Sequence, residues 1–254
     1  MKGTILKIDD LLEDRKYDLH WQMTRCERLV VRKLLESLKP SLAIEIGTYK
    51  GGSLQVIAEY SKSVISLDTN PDLEKELGTR FPNVRFVSGY SQQTLPEIVD
   101  DLNNRSESPE FVLVDGDHSE EGVRQDVNFI LQIRPQRPMV ILMHDGFNPD
   151  CRQGMLTADW HSCPFVQSVD VDFVGGLFSE NSFDTAEAGS MWSGLGAALL
   201  TPQARIDELQ IRQSQRRVCE AVTGISIHKS TATESTASGG IARTLLRRLT
   251  RRHG

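Results

Sequence analysis

Residues 42–53, Leu-Ala-Ile-Glu-Ile-Gly-Thr-Tyr-Lys-Gly-Gly-Ser, constrain this chain more than any other stretch. Leu42 to Ile46 is an apolar run too short for a helix, with one acid, Glu45, near its end. It breaks into a turn bracketed by Gly47, Gly51 and Gly52, and residues 55–60 resume at helical spacing. A strand, a tight turn and a helix make the first βα unit of a parallel sheet, where a ligand meets backbone at the strand's carboxyl end. The next candidate strand, 64–68, closes on Asp68. A carboxylate there offers two acceptor oxygens, the number needed by two vicinal hydroxyls.

The same rhythm runs on. Strands are expected at 42–46, 64–68, 84–88, 111–115 and 139–144, with helices at 53–60, 72–77, 92–102 and 119–133. Strands separated by helices imply an α/β fold with a mostly parallel sheet doubly wound on both faces. Ahead of it, residues 19–38 carry Trp21, Leu29, Val30, Leu34, Leu35 and Leu38 at helical spacing, stopped by Lys39-Pro40. Residues 1–40 are therefore a helical extension and 41–222 the main domain. After Asp145 a polar, aromatic-dotted loop is expected over 146–168. Strands follow at 169–178 and 191–200, with a loop at 179–190 and a helix over 203–222. Residues 223–240 are rich in Ser, Thr and Gly and read as a linker. The tail, 241–254, spaces Ile241, Leu245 and Leu249 four apart among five arginines, a short basic amphipathic helix. It reads as solvated, with an anionic membrane surface or an acidic partner as its other use.

The glycine spacing selects among nucleoside ligands. A dinucleotide site wants G-x-G-x-x-G, so that backbone approaches a pyrophosphate. Here the middle glycine is missing, and Glu45 would face a pyrophosphate with like charge. The pattern E-x-G-x-x-x-G with a later acid resembles the first two motifs of class I S-adenosylmethionine (SAM) methyltransferases. The resemblance implies a seven-stranded Rossmann-like sheet whose last strand is antiparallel. It also implies a cofactor site at Glu45, Gly47, Thr48, Gly51, Ser53, Asp68, Ser91 and Asp115, with Ser91 where related enzymes contact adenine.

A second signal lies in Phe111-Val-Leu-Val-Asp115-Gly-Asp117-His118 and Val140-Ile-Leu-Met-His144-Asp145. Two neighbouring strands end in acids, and carboxylates aimed at one place repel unless a cation or proton lies between them. A hard divalent ion with oxygen ligands, most simply Mg²⁺, suits them. His118 lies three residues past Asp115, where Ser119 suits a helix N-cap, and its imidazole could take a proton from a bound hydroxyl. These residues resemble the metal-dependent O-methyltransferases of the catechol and caffeoyl-CoA type. D-G-x-H with H-D is closer to the branch holding macrolide-sugar O-methyltransferases and the proteins called cephalosporin hydroxylases. That resemblance implies Asp115 and Asp145 as metal ligands and His118 as base. His144 stands where the catechol type has an acid, so it is read as ligand, neighbour of a ligand or structural hydrogen-bonder. Asp117, Asn148 and Asp150 are the other candidates for the third ligand. Asp117 leans towards a structural part in the first helical turn. The implied activity is O-methylation of a small hydroxylated acceptor, a sugar or natural-product ring, selected by Arg152, Trp160 and His161. Trp160 and Trp192 otherwise read as core or lid packing.

Composition excludes other classes. The chain has 254 residues, 39% hydrophobic and 25% charged, with a net charge of −6 that gives no reason to expect nucleic acid. No apolar run reaches membrane-spanning length, and the first residues turn acidic too early for a signal peptide. Cys26, Cys151, Cys163 and Cys219 are scattered without C-x-x-C spacing, which fits neither zinc knuckle nor disulfide framework but suits a reduced cytoplasm. A homo-oligomer is expected. A metal-independent methyltransferase and a non-catalytic SAM-binding partner in glycan or natural-product assembly stay open.

Overall fold

The computed structural model describes residues 16–179 and 190–223. The linker and basic tail expected beyond residue 223 lie outside the described residues. The chain order is α1 (Arg25–Leu38), β1 (Leu42–Ile46), α2 (Leu54–Tyr60), β2 (Ser63–Asp68), α3 (Leu73–Leu77), β3 (Val84–Ser88) and α4 (Ser91–Asn104). It continues with β4 (Phe111–Val114), α5 (Glu120–Ile130), β5 (Met139–His144), α6 (Pro149–Thr157), β6 (Val166–Val174), β7 (Leu177–Ser179) and β8 (Ser190–Trp192). β9 (Leu195–Leu200), β10 (Ile211–Arg212) and α7 (Arg216–Thr223) complete it.

The main sheet has eight strands in the order β10-β6-β9-β5-β4-β1-β2-β3, one more than the seven expected. The extra strand, β10, is two residues long and runs parallel to β6. Strands β1 to β5 are parallel, and β9 inserts antiparallel between β5 and β6. Order reverses beside β1, so the β1 and β4 carboxyl ends open a crevice between them.

Period-two alternation decides which face each side chain serves. Ile44, Ile46, Val112, Val114, Ile141 and Met143 join Leu95, Ile98, Val127 and Ile130 in a core under α4 and α5. Ala43, Phe111, Leu113 and Leu142 join Val31, Leu35, Leu54 and Ile57 under α1 and α2. Residues 45, 115 and 144 continue this second set at the carboxyl ends, and Val114 pairs with Met143. Asp115 and His144 therefore stand level and face the layer that holds α1.

The helix of the N-terminal extension packs on this face, with Val31 and Leu35 in the same core as Ala43 and Leu113. It starts at Thr24, in a capping box whose other half is Glu27. Several expectations after residue 145 fail. The strands expected at 169–178 and 191–200 are each broken, into β6 and β7 and into β8 and β9, and β7 pairs with β8 in a separate sheet. The loop at 146–168 contains α6, signalled by Asn148 as N-cap and Pro149 at the first helical position. The helix expected over 203–222 is only Arg216–Thr223, because 203–215 runs irregularly along the sheet edge to form β10. No helix among the described residues is long and apolar enough to cross a membrane.

Candidate active site

A cavity of about 480 Å³ opens at the carboxyl ends of β1, β2 and β4. Its volume is that of a small-molecule site. Its walls are the turn after β1, Asp68 and Thr69, residues 89–92, residues 115–118, and His20 to Met23 of the N-terminal segment.

The turn is tightly determined. Gly47 has φ +88°, and a Cβ there would lie 1.9 Å from the Asp115 carbonyl oxygen. Only glycine allows β1 and β4 to come this close. Gly52 is needed for another reason: a Cβ would fall 2.3 Å from the His20 carbonyl oxygen, where the N-terminal segment crosses the turn. Asp68 holds the turn from β2. Its Oδ2 accepts hydrogen bonds from the Thr48 and Tyr49 amides at 2.9 and 2.8 Å, and its Oδ1 from the Asn70 amide at 2.8 Å. A carboxylate has about four acceptor positions. Three are taken, so Asp68 has room for one further hydroxyl rather than two.

Gly47, Thr48, Ser53, Asp68, Ser91, Asp115 and His118 line the cavity. Glu45 and Gly51, expected at the cofactor, do not, and neither do His144 and Asp145, expected at the metal. Glu45 points to the α2 face and is fully buried, accepting from the Ser53 hydroxyl at 2.6 Å. Burial pushes its carboxyl up to about 8 against the Ser53 hydrogen bond, with Asp115 and Asp68 adding to the rise. Gly51 packs outward against Leu77 and Leu19.

Asp115, His144 and Asp145 offer ligand atoms that all lie within 4.8 Å of one another. His144 Nδ1 is 3.0 Å from Asp115 Oδ1 and 3.4 Å from Asp145 Oδ2. Asp145 has φ 58°, a left-handed conformation costly for a non-glycine residue. Its Oδ1 accepts from the Ser193 amide at 2.7 Å, which leaves Oδ2 facing the histidines. His118 Nε2 is 3.5 Å from both Asp115 Oδ1 and Asp145 Oδ2. Trp192 sets its ring edge-on to His118, with centroids 6.0 Å apart.

The charges are strongly coupled. Burial raises the Asp115 carboxyl, but the charges and hydrogen bonds of His144 and His118 outweigh it and hold the group at about 2. Burial lowers His144, yet the carboxylates around it, Asp115 first, raise it well above its ordinary value. The Asp115 hydrogen bond raises His118 against its partial burial.

Sequence reasoning missed Glu27. It is fully buried, and its Oε1 lies 3.4 Å from His144 Nε2 and accepts from the Gly194 amide. Its only sequence signal was the capping box with Thr24, which speaks of a helix start rather than a site. Asp126 was missed as well. It is fully buried behind Gly116, and neither carboxyl oxygen has a hydrogen-bond partner among the described residues. Burial raises it to about 6.

Of the other candidate ligands only Asp117 lines the cavity. Asn148 caps α6, Asp117 accepts from the Ser119 amide, and Asp150 is an exposed first-turn acid. Ser119 caps α5 as expected, accepting from the Gly122 amide. The expected acceptor selectors do not reach the cavity. Arg152 is fully buried in a two-point ion pair with Asp172, at 2.6 and 3.1 Å. Trp160 is fully buried and donates to the Met155 carbonyl, and His161 is exposed beside Arg205. Arg152 is on the inner face of α6 and Trp160 packs just beyond its end, an arrangement that a loop reading of 146–168 does not contain.

Residues 44–146 match the family model described as a methyltransferase domain. The fold is similar to that of cofactor-bound Rv0187 from MTB, at 14% identity and TM-score 0.51, covering 74% of this chain and 85% of that one. It is also similar to the O-methyltransferase TomG from Streptomyces achromogenes, involved in tomaymycin synthesis and solved with SAM. There the identity is 12% and the TM-score 0.50, over 71% of this chain and 82% of that one. No curated protein matches the sequence. The chain is thus similar to methyltransferase domains over residues 44–146, and it shares the α/β fold of these neighbours.

Proposed function

We propose that this protein transfers the methyl group of SAM to a hydroxyl of a small acceptor, a sugar or natural-product ring, beside a divalent cation. The observation that carries the reading is that Asp115 and His118, on the wall of the cavity that also holds the Gly47 turn, meet the buried His144 and Asp145 behind that wall. Three donor atoms from two adjacent strands fit a cation. The separations of 3.0 and 3.4 Å are close to the roughly 3 Å edge of an octahedron with bonds of about 2.1 Å.

When bound, SAM supplies an electrophilic sulfonium methyl and the cation supplies positive charge beside the acceptor oxygen. The rest belongs to this chain. The turn amides, Asp68 and Ser91 would hold the nucleoside. His118, 44% exposed and on the cavity wall, would receive the hydroxyl proton, and Asp115 and Asp145, each 3.5 Å from its Nε2, would stabilise the imidazolium that forms. The oxygen–methyl bond forms as the sulfur–methyl bond breaks, leaving S-adenosylhomocysteine. Alignment of the two reactants across one cavity supplies much of the rate.

The test is transfer of labelled methyl from SAM across a panel of hydroxylated sugars and natural-product rings, in chelator and with added cation. Turnover should appear with cation and vanish in Asp145→Ala. Retained SAM with no transfer to any acceptor would sink the O-methyl reading, and full turnover in chelator would sink the cation.

A further inference from the structure

We infer that Glu27 is a positioning residue for the cation centre. It holds the Nε2–H of His144, so that Nδ1 faces the ion, and the centre takes a nitrogen-tolerant divalent metal such as Mn²⁺ in preference to Mg²⁺. The inference rests on the proposed cation at Asp115 and Asp145 and names the metal class and the residue that selects it.

Three observations carry it. His144 is nearly fully buried, and its two nitrogens face opposite ways. Nδ1 is in hydrogen-bond contact with Asp115 Oδ1 at 3.0 Å and lies 3.4 Å from Asp145 Oδ2, whereas Nε2, 3.4 Å from Glu27 Oε1, has no hydrogen bond. Second, an imidazole lone pair between two carboxylate oxygens is repelled unless a proton or a cation lies there. A divalent ion on Nδ1 leaves the ring's one proton on Nε2, on the side that faces Glu27. Third, Glu27 is itself fixed. Its Oε2 accepts from the Thr24 amide and its Oε1 from the Gly194 amide, so the carboxylate has a set direction.

A carboxylate on the far nitrogen of a ligating histidine fixes the tautomer and ring angle and raises the basicity of the ligating nitrogen. One imidazole with two carboxylates favours Mn²⁺, Co²⁺ or Zn²⁺, since Mg²⁺ prefers oxygen and keeps its water. Helix α1, outside the residues matched to the methyltransferase domain, is on this account part of the metal site.

The test uses the metal alone on the full chain. In wild type, Mn²⁺ should bind at least about tenfold more tightly than Mg²⁺. Pulsed EPR should show a ¹⁴N coupling that survives in His118→Asn and is lost in His144→Asn. Glu27→Gln keeps an acceptor for the helix cap and should weaken Mn²⁺ by about 10–100-fold. If that variant does not fold, ¹H–¹⁵N spectra of Zn²⁺-loaded wild type still decide, with the His144 proton expected on Nε2. Unchanged Mn²⁺ affinity in folded Glu27→Gln, or the proton on Nδ1, overturns the role of Glu27 and leaves the cation reading intact. Equal Mg²⁺ and Mn²⁺ affinity without nitrogen coupling overturns the choice of metal. If neither metal binds wild type, the cation reading falls too, while SAM binding by calorimetry tests methyl transfer separately.

Discussion

At one end of the cavity, Gly47, Thr48 and Asp68 are tied together by backbone amides within two consecutive strand–turn units. At the Asp115 wall and behind it, Glu27 comes from α1, Asp115 from the end of β4 and His144 from β5. Asp145, just beyond β5, is held by the amide of Ser193 between β8 and β9. The first end is made by neighbours in sequence and takes its shape from the backbone. The second is assembled from side chains of distant segments and takes its properties from charge. The difference teaches where each end is vulnerable: substitutions at the turn act through geometry, and those at the cluster through electrostatics.

The largest expected effect lies at the charged end. His118→Ala should lower kcat by about 10²–10⁴-fold, the usual worth of positioned proton transfer, and should barely move KM for SAM. A wild-type rate, measured where chemistry limits turnover, would remove His118 from the reaction and with it the functional contrast between the two ends.

Asp126 lies behind Gly116 and extends the electrostatic account beyond the cluster. Its folded-state pKa of about 6 is above the ordinary 3.8, so the fold holds the proton more tightly than the unfolded chain does. Its stability contribution is full below pH 3.8 and is lost as pH rises through about 6. Asp126→Asn should therefore be more stable than wild type by up to about 3 kcal/mol at pH 8, with no gain below pH 3.8. Urea unfolding at several pH values reads this, and a gain independent of pH would show that charge is not the cause.

Asp68→Ala should weaken SAM binding by roughly 1.5–3 kcal/mol, through loss of a charge-assisted hydrogen bond and of the turn that Asp68 holds. Calorimetry with unchanged affinity would separate the turn from the cofactor. Metal affinity should not change, and a loss there would erase the distinction between the ends.

The smallest effect is expected at the helix cap. Thr24→Ala should cost about 1 kcal/mol of stability, the usual worth of an N-cap. Since the Thr24 amide remains, Glu27 keeps its backbone donors and SAM affinity should be unchanged. A stability loss near zero by thermal unfolding would mean the N-terminal segment, not the cap, sets the start of α1.

Much of this was written in local pattern. The strands 42–46, 84–88 and 139–144 were legible to the residue, because short apolar runs between turn signals leave the backbone one good choice. The glycine turn, Asp68, Asp115, His118 and Asp145 were legible as strand-end residues of a parallel sheet, since topology sends all carboxyl ends to one side. The tertiary structure decided the rest. It turned Glu45 and Gly51 away from the cavity, because strand alternation and the turn's left-handed glycines aim them at the α2 face and at Leu77. It made Arg152 core, because α6 packs it inward against Asp172. It brought Glu27 to His144 across more than a hundred residues of chain. No local pattern encodes such a contact, since it depends on helix α1 lying over the same face of the sheet that residues 115 and 144 present.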